Sequence, residues 1–359
     1  MIQQSAIDVP RIDFSDSTNG ALLLEPQRTN LIQYSEAFLA GWRKTATIVG
    51  ANSIISADGT QNASLIQSTQ TGSAFVAPNN LTLTIGNTYT FSCFAKKGNN
   101  DWIRLAHVTS GGTGCWFDLE NGVVGTVNSE SATIEDYGNG WYRCANTFIA
   151  TAATDLNNAF IGLCDANGST NAGIVGKNDY LWGAQLEQNS FSTSYIPTQG
   201  SAVTRLADVC NNSGSAQDFN SESGVLYAEI AALADDGTTR YIAISDGSNN
   251  ERVQIIYSSN SDNIAMSVVS SNTSQASTTA ITSQIQYSKL AISYKVNNCS
   301  FWLNGFKIHT DTSAVMPSGL NVLEYQRPNN TSHFYGKIKD LQVFTTALTD
   351  EQLAALTTI

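Results

Sequence analysis

Charged side chains are scarce in this chain of 359 residues. Asp, Glu, Lys and Arg make up 13% of it, about half of the share that is usual in a soluble domain. The 18 Lys and Arg residues are outnumbered by 30 Asp and Glu residues, which leaves a net charge of −12. This balance excludes a nucleic-acid-binding protein of the basic-patch type, because such proteins bind through clustered Lys and Arg. It also argues against electrostatic binding to anionic membranes.

Long apolar runs are absent as well. No stretch approaches the ~18 apolar residues that a membrane-spanning helix needs. The first residues, Met-Ile-Gln-Gln-Ser-Ala-Ile-Asp, lack the basic start and the apolar segment of an export signal. We therefore expect a soluble protein without membrane insertion that is synthesised in a cytoplasm.

Groups for acid–base or nucleophilic chemistry are few. The chain has three histidines, His107, His309 and His333, and contains no G-x-S-x-G, H-E-x-x-H or P-loop sequence. It also lacks the E-x-D-x-E strand that carries paired carboxylates in many β-sandwich glycanases. The sequence therefore predicts a protein that is not an enzyme, although carboxylates from separate strands could still converge. His107 lies in an alternating segment and is interpreted as a core or edge residue.

Cysteine pairs at metal-binding spacing are also missing. None of the six cysteines forms a C-x-x-C pair, and no histidine stands at ligand spacing from any pair. Cys93, Cys115 and Cys144 lie in apolar, strand-like segments, so we expect small buried side chains there. A disulfide framework is not expected in a chain of this size made in a cytoplasm.

Ser, Thr and Asn supply most of the polar residues in place of charged ones. They surround short segments in which apolar and polar residues alternate. Apolar and polar residues alternate over Tyr89–Ala95, Asp101–Val108 and Trp141–Ile149, with turn-forming Gly and Asn between them. Thr349 and Gln352 have the spacing of a helix-capping box. We predict an all-β protein made of two tandem antiparallel β-sandwich domains of the jelly-roll type, with a short C-terminal helix.

Turn-rich segments set the predicted domain borders. We predict an irregular N-terminal segment over residues 1–40 that packs on the first sandwich. The first sandwich follows over residues 41–205, a linker over residues 206–222 and the second sandwich over residues 223–359.

Aromatic residues recur beside polar ones on the predicted strand faces. Alternation places Trp102 with Arg104, Trp116 with Asp118, and Trp141 with Arg143, each pair opposite apolar neighbours. Aromatic rings that stack on sugar rings, with planar polar groups beside them, are typical of glycan-binding surfaces. Alternatively, the Trp residues are structural and the arginines pair with Asp118 across strands. The second half offers further candidates of the same type: Tyr257, Trp302, Asn304, Tyr325 and His333.

Two turns carry oxygen ligands that suit calcium. Asp165 and Asn167 begin a sequence with the spacing of a calcium loop, but Gly176 stands where an acidic residue should close it. Asp246 and Glu251 flank a second such turn. Ordinary turns are the favoured interpretation of both, and structural calcium is kept as the weaker alternative to the prediction of no cofactor.

Several segments in the first half resemble a family of bacteriophage virion proteins, often tail fibres, with a carbohydrate-binding-module-like β-sandwich. The matching segments appear in the family's order and are Ile12–Phe38, Tyr137–Cys144, Trp182–Glu187, Thr193–Thr198 and Val203–Asp208. Glu25, Arg28 and Asn30 recur in the family's first segment. We interpret them as structural residues that tie this segment to the first sandwich.

The second half resembles a concanavalin-A-like, laminin-G-like domain. The resemblance rests on Leu290–Tyr294, Phe301–Gly305, Tyr335–Phe344 and Ala347–Glu351. In the first half, the carbohydrate-binding-module families that bind calcium usually carry an acidic residue in the last strand of the sandwich. At that place this chain has Gly183–Gln185.

Together, these resemblances imply a non-enzymatic protein on the virion surface, in a fibre, an appendage or a decoration, made in the bacterial host cytoplasm. We expect it to bind bacterial surface polysaccharide and other virion proteins, but no nucleic acid. Because phage appendages are symmetric, we expect a homo-oligomer, with a trimer as the default. The alternatives are a purely structural capsid or tail component, a polysaccharide depolymerase, and a bacterial carbohydrate-binding protein.

Overall fold

The computed structural model describes residues 9–16, 18–79, 81–107, 114–153, 159–210 and 213–359. The chain folds as two compact units. The first unit spans Gln27–Leu206, and the second combines the described residues of 9–26 with those of Ala207–Ile359. In the described part every strand pairing within the sheets is antiparallel and a single short α-helix ends the chain, which confirms the all-β prediction.

The strand and helix bounds are as follows. In chain order, the strands up to residue 205 are β1 (Ile12–Asp13), β2 (Ala21–Leu24), β3 (Arg28–Asn30), β4 (Trp42–Thr45), β5 (Thr47–Ile54), β6 (Ala63–Ser68), β7 (Ala74–Pro78), β8 (Thr88–Lys97), β9 (Trp102–Ala106), β10 (Gly114–Asp118), β11 (Val123–Asn128), β12 (Ser131–Asp136), β13 (Trp141–Ile149), β14 (Phe160–Cys164), β15 (Asn178–Glu187) and β16 (Val203–Arg205). The remaining elements are β17 (Ser223–Ala232), β18 (Arg240–Ser245), β19 (Arg252–Tyr257), β20 (Asn263–Ser270), β21 (Thr273–Ile281), β22 (Ser288–Lys295), β23 (Cys299–Leu303), β24 (Phe306–Asp311), β25 (Val322–Glu324), β26 (Gly336–Phe344) and α1 (Asp350–Thr357).

Two sheets face each other in the first unit. Over the described residues the front sheet has six strands in the order β11-β10-β9-β14-β7-β4, and the back sheet has six in the order β12-β13-β8-β15-β6-β5. Alternation points Ile103 and Phe117 of the front sheet, and Phe91 and Cys144 of the back sheet, into one buried core. The polar partners of these residues therefore lie on the two outer faces. A two-stranded pair, β3 with β16, completes the unit.

The second unit is also a sandwich. Counted over its described residues, one sheet has seven strands in the order β1-β2-β26-β17-β22-β23-β24, and the other has five in the order β21-β20-β19-β18-β25. Leu226 and Ile292 from the first of these sheets pack against Ile255 and Met266 from the second.

The C-terminal helix forms as its capping box predicts. The Thr349 side chain accepts a hydrogen bond from the Gln352 amide, and the Gln352 side chain accepts one from the Thr349 amide. Leu353 then packs against Tyr227 and Trp302 on the outer face of the seven-stranded sheet. Trp302 is consequently buried beneath α1, which removes it from the glycan-binding candidates.

The N-terminal segment departs from the prediction. Residues 1–40 were expected to pack as one piece on the first sandwich, but β2 pairs with β26 in the second unit, with Leu22 opposite Ile338. The Glu25 carboxylate forms an ion pair with Arg11 at 2.6 Å, and the backbone amide of Glu25 donates to the Asp208 carboxylate. All three residues belong to the second unit. The prediction is therefore wrong for residues 12–25. The reason is that the apolar side chains of β2 complete an edge of the second unit's sheet.

The remaining composition-based expectations concern cysteines and membranes. Cys93, Cys115 and Cys144 are buried, as their apolar segments indicate, and burial raises the pKa of the Cys115 thiol to about 11. Among the described residues, no helix combines the length and the hydrophobicity that crossing a bilayer requires.

Candidate functional site

The outer face of the front sheet carries a continuous row of aromatic and arginine side chains. We call it the ladder and define it, in spatial order, as Trp116, Arg104, Phe160, Phe75 and Arg43. The Arg104 guanidinium carbon lies 5.4 Å from the Trp116 ring centroid and 4.8 Å from that of Phe160. The rings of Phe160 and Phe75 are 4.9 Å apart, and the Arg43 guanidinium carbon lies 5.2 Å from the Phe75 ring. Five side chains from five strands thus form one stacked row.

Strand register explains how four of the predicted residues come together. In the pairing of β9 with β10, Arg104 lies opposite Trp116, and Trp102 lies opposite Asp118. Because Ile103 and Leu105 of β9 point into the core, these four side chains share the outer face. The sequence analysis placed them on one face, and the register makes them neighbours.

Phe160, Phe75 and Arg43 were missed by the sequence analysis. Gly162 of β14 lies opposite both Arg104 of β9 and Phe75 of β7, which brings the aromatic residues of these strands onto the same face. A signal was present in Phe160–Cys164, where Ile161 and Leu163 alternate with polar or small residues. That alternation shows which face Phe160 occupies, but not which strand lies beside it.

Exposure distinguishes the platform of this face from its support. Trp102, Phe160 and Phe75 are half-buried, so their rings are partly open to solvent. Trp116 is only 1% exposed, and its indole N–H donates to the Ser169 carbonyl. Trp116 therefore packs against Arg104 without being accessible itself, and the half-buried rings form the accessible surface.

Asp118 belongs to its own turn and does not pair with an arginine. Its Oδ1 accepts hydrogen bonds from the amides of Glu120 (2.9 Å) and Asn121 (3.1 Å), and its Oδ2 accepts one from the Asn121 side chain (2.9 Å). Burial raises the pKa of this carboxyl, but these hydrogen bonds outweigh burial and leave the pKa below its usual value. The alternative in which Asp118 neutralises a nearby arginine is therefore wrong for Arg104.

Trp141 and Arg143 lie on the outer face of the back sheet, away from the ladder. Arg143 is 4% exposed, donates to Ser92 Oγ at 3.2 Å, and stacks 5.4 Å from the Phe94 ring. Burial lowers the pKa of its guanidinium, but Tyr137, Glu135 and Glu187 more than offset this and raise it. Arg143 is thus a buried cation with nearby acidic groups.

Trp141 also lines a pocket of about 270 Å³. Its indole N–H donates to the Ile55 carbonyl at 3.2 Å, and the residue is 2% exposed. Tyr137, Lys96 and Ser56 complete the aromatic and polar lining. This pocket is a second concave surface of the first unit, on the opposite sheet from the ladder.

The candidates in the second unit have different positions. Tyr257 is fully buried in the core, its hydroxyl donates to the Ile230 carbonyl at 3.1 Å, and its ring lies against Phe334. A glycan cannot reach it, so its assignment to a glycan site is corrected. Tyr325 packs partly buried against the same core, and burial raises the pKa of its hydroxyl to about 12. His333 is half-buried beside Tyr335, with ring centroids 5.7 Å apart.

The calcium candidates use their oxygen atoms locally. Asn167 Oδ1 accepts the Thr126 amide at 2.8 Å, and Asp246 Oδ1 accepts the Ser248 amide at 2.9 Å. Glu251 accepts the amides of Ser271 (2.8 Å) and Ser318 (2.9 Å). Asp165 is exposed in its turn. Across the described ranges, no three His, Cys, Asp or Glu side chains are grouped to hold a metal ion. Structural calcium stays an untested expectation.

A buried carboxyl in the first unit provides a test by pH. Burial raises the pKa of Asp179 to about 8, although Asn100 Nδ2 (2.8 Å) and the Gly98 amide (3.0 Å) donate to its oxygens. Because this folded-state pKa lies above the unfolded value of about 3.9, the proton's contribution to stability is complete below about pH 4 and is lost as pH rises to about 8.

We expect Asp179→Asn to gain stability relative to the wild type over that window, by at most about 1.4 kcal/mol per pH unit. Urea unfolding of both proteins at several pH values measures the difference, in which all other titrating groups cancel. Two unfolding curves that stay parallel from about pH 4 to pH 8 would contradict the prediction.

Comparisons with known proteins give one family match and several distant structural likenesses. No curated protein matches the chain. Among solved structures, a Ruminococcus gnavus IT-sialidase CBM40 is 15% identical, with a TM-score of 0.35, over 42% of this chain and 96% of that one. A leech intramolecular trans-sialidase is 16% identical, with a TM-score of 0.34, over 42% of this chain and 27% of that one. Mouse laminin alpha1 domains LG4-5 are 10% identical, with a TM-score of 0.27, over 89% and 94%.

At these scores the likenesses carry no argument about ligand or activity. The resemblance of the second half to a concanavalin-A-like domain is nevertheless confirmed, because residues 214–354 match the family model described as the Concanavalin A-like lectin/glucanases superfamily.

Proposed function

We propose that this chain is a non-enzymatic glycan-binding protein of a bacteriophage particle and that it binds sugars on the outer face of the front sheet. The ladder carries the proposal. Its half-buried rings, together with Trp102, offer flat apolar surface for sugar rings. The guanidinium of Arg104, fixed between two rings, offers planar hydrogen-bond donors for hydroxyl groups.

The virion part of the proposal rests on the resemblance of the first half. Three of its matching segments meet in the first unit: Asn30 bonds the carbonyls of Ala184 and Ile196, which come from two other matching segments. Segments that occur together in the family are thus linked here by hydrogen bonds of one buried side chain. A homo-oligomer, by default a trimer, would present several ladders at once, so weak single sites would add up to firm attachment.

The test is binding of the purified chain to an array of bacterial surface polysaccharides, with newly formed reducing ends assayed in parallel. We expect saturable binding without new reducing ends, weakened about tenfold or more in Trp102→Ala, because aromatic rings buried against a ligand are among the side chains that contribute most to affinity. Lys96→Ala, at the pocket of the back sheet, is the matched control and should bind as the wild type does.

Other outcomes would replace the proposal. Loss of binding in Lys96→Ala but not in Trp102→Ala would move the site to the pocket beside Trp141. Release of reducing ends would show a depolymerase. No binding by a chain multimerised on beads would favour a purely structural component, and absence of the chain from purified particles would remove the virion assignment.

A further inference from the structure

Arg104 is a buried cation that has no counter-charge among the described residues. It is 6% exposed, and its Nε and Nη1 atoms are buried without a hydrogen-bond partner among the described residues. No carboxylate in that part of the chain forms an ion pair with it. Burial lowers the pKa of its guanidinium, and only the Cys164 thiol opposes that effect, whereas carboxylates do so around Arg143.

Other arginines of the chain have hydrogen-bond acceptors in the plane of the guanidinium. Arg240, 2% exposed, bonds Asp236 at 2.7 Å, and the partly exposed Arg11 bonds Glu25 at 2.6 Å. Arg252, 8% exposed, has no ion pair in the described part of the chain, but its Nε donates to Gln254 Oε1 at 2.8 Å. Asp118 is the acid nearest in register on the face of Arg104, and its oxygens are taken up by its own turn. Among the described residues, Arg104 therefore has aromatic stacking partners but no hydrogen-bond acceptor.

Such an arrangement costs stability. A buried charge is tolerated when it is paired and hydrogen-bonded, and an unpaired one is unfavourable by several kcal/mol. Stacking on Trp116 and Phe160 offsets part of this cost, since a desolvated cation is attracted to the face of an aromatic ring. The rings leave the hydrogen-bonding requirement of the guanidinium edge unmet, because a ring face binds charge and does not replace an in-plane acceptor.

We infer that the ladder binds an acidic glycan, with a carboxylate or sulfate group of the sugar accepting hydrogen bonds from Arg104 while the sugar ring lies on the neighbouring aromatic side chains. The inference rests on the proposed function and specifies its substrate class. An oxyanion supplies the negative charge and the hydrogen-bond acceptors that Arg104 lacks. It also suits the planar guanidinium, which binds carboxylate and sulfate oxygens through two parallel N–H groups.

The experiment uses the full chain on an array in which oligosaccharides that contain uronic acids, sialic acids or sulfate esters are printed beside their neutral parents. We expect the wild type to bind acidic members at least tenfold more tightly than the matched neutral parents. Arg104→Gln should abolish that preference, and Arg104→Lys, which keeps the charge without the planar fork, should retain part of it. Lys44→Gln, an exposed position on β4 with the same change in charge, is the control.

A second readout guards against loss of fold. Thermal unfolding of each variant is followed with and without glucuronic acid, and with glucose as the neutral comparison. We expect Arg104→Gln to be at least as stable as the wild type, because it removes an unpaired buried charge, and to lose the stabilisation that glucuronic acid gives.

The outcomes separate the two proposals. Equal binding of acidic and neutral partners, or an acidic preference that survives in Arg104→Gln, overturns the inference and leaves glycan binding standing. Binding to no member of the array overturns both. Acidic preference that Lys44→Gln abolishes as fully as Arg104→Gln would mean that net charge alone acts, which also overturns it.

Discussion

Replacing Asn30 by alanine should destabilise the first unit by about 4 kcal/mol or more, the sum of several buried hydrogen bonds lost at one position. Asn30 is 0% exposed. Its Nδ2 donates to the carbonyls of Ala184 (3.1 Å) and Ile196 (2.9 Å), and its Oδ1 accepts the amides of Ile32 and Leu186, both at 3.1 Å. Alanine leaves four buried backbone groups without partners, and each costs about 1–3 kcal/mol.

The surrounding network makes relaxation difficult. Gln185 Oε1 accepts the Ile196 amide at 2.7 Å, and Glu187, itself 0% exposed, accepts the amide and hydroxyl of Thr193 at 2.7 Å each. Water cannot easily replace Asn30 in the middle of these bonds. The surface variant Asn171→Ala, whose exposed side chain lies outside this network, should stay within about 0.5 kcal/mol of the wild type.

Urea unfolding, read by hydrogen exchange of peptides from each unit, measures the effect. We expect the first unit's peptides to lose protection at lower urea in Asn30→Ala, while those of the second unit do not change. Equal midpoints for Asn30→Ala and Asn171→Ala would show that the network contributes little.

The second large effect is expected at Gly336, in the second unit. A methyl group added there would lie within contact distance of the Ala231 carbonyl oxygen and 2.6 Å from Cε1 of Phe334. The carbonyl belongs to β17, the strand paired with β26, so it cannot move without breaking the ladder of hydrogen bonds. We expect Gly336→Ala to destabilise the second unit by about 3 kcal/mol, the upper range for overpacking.

A matched glycine makes the comparison informative. At Gly72 an added methyl group meets only the Gln70 side chain, at 3.5 Å, so Gly72→Ala should be neutral or mildly stabilising. The same urea experiment reads both. If Gly336→Ala left the second unit's midpoint unchanged, the tight packing of β26 on β17 would be contradicted.

Local patterns predicted the strands well and their neighbours poorly. Alternation of two residues placed Trp102, Arg104, Trp116 and Asp118 on one face because it depends only on the strand itself. The same pattern places Tyr257 with Val253 and Ile255, which are core residues, so its burial was readable from Arg252–Tyr257. Tyr257 was assigned to a glycan site because it is aromatic, although its strand position indicates the core.

Long-range pairing was not readable. Nothing in the sequence near Phe75 or Phe160 shows that β7, β14 and β9 lie side by side, because strand order depends on the packing of the whole sandwich. The same holds for β2, whose partner β26 is more than 300 residues away in the sequence. The ladder therefore emerges only from the topology, although each of its residues lies in a recognisable strand.

The pairing of β2 with β26 makes the first unit an insertion. The chain enters the second unit's sheet, leaves it after Leu24, builds the whole first sandwich, and returns at Asp208, whose amide donates to the Glu25 carbonyl at 2.9 Å. Exit and return thus lie side by side. During synthesis the inserted sandwich is complete before β26, the strand that pairs with β2, has been made. The host sheet closes only when synthesis reaches Phe344, so the inserted sandwich is able to fold first.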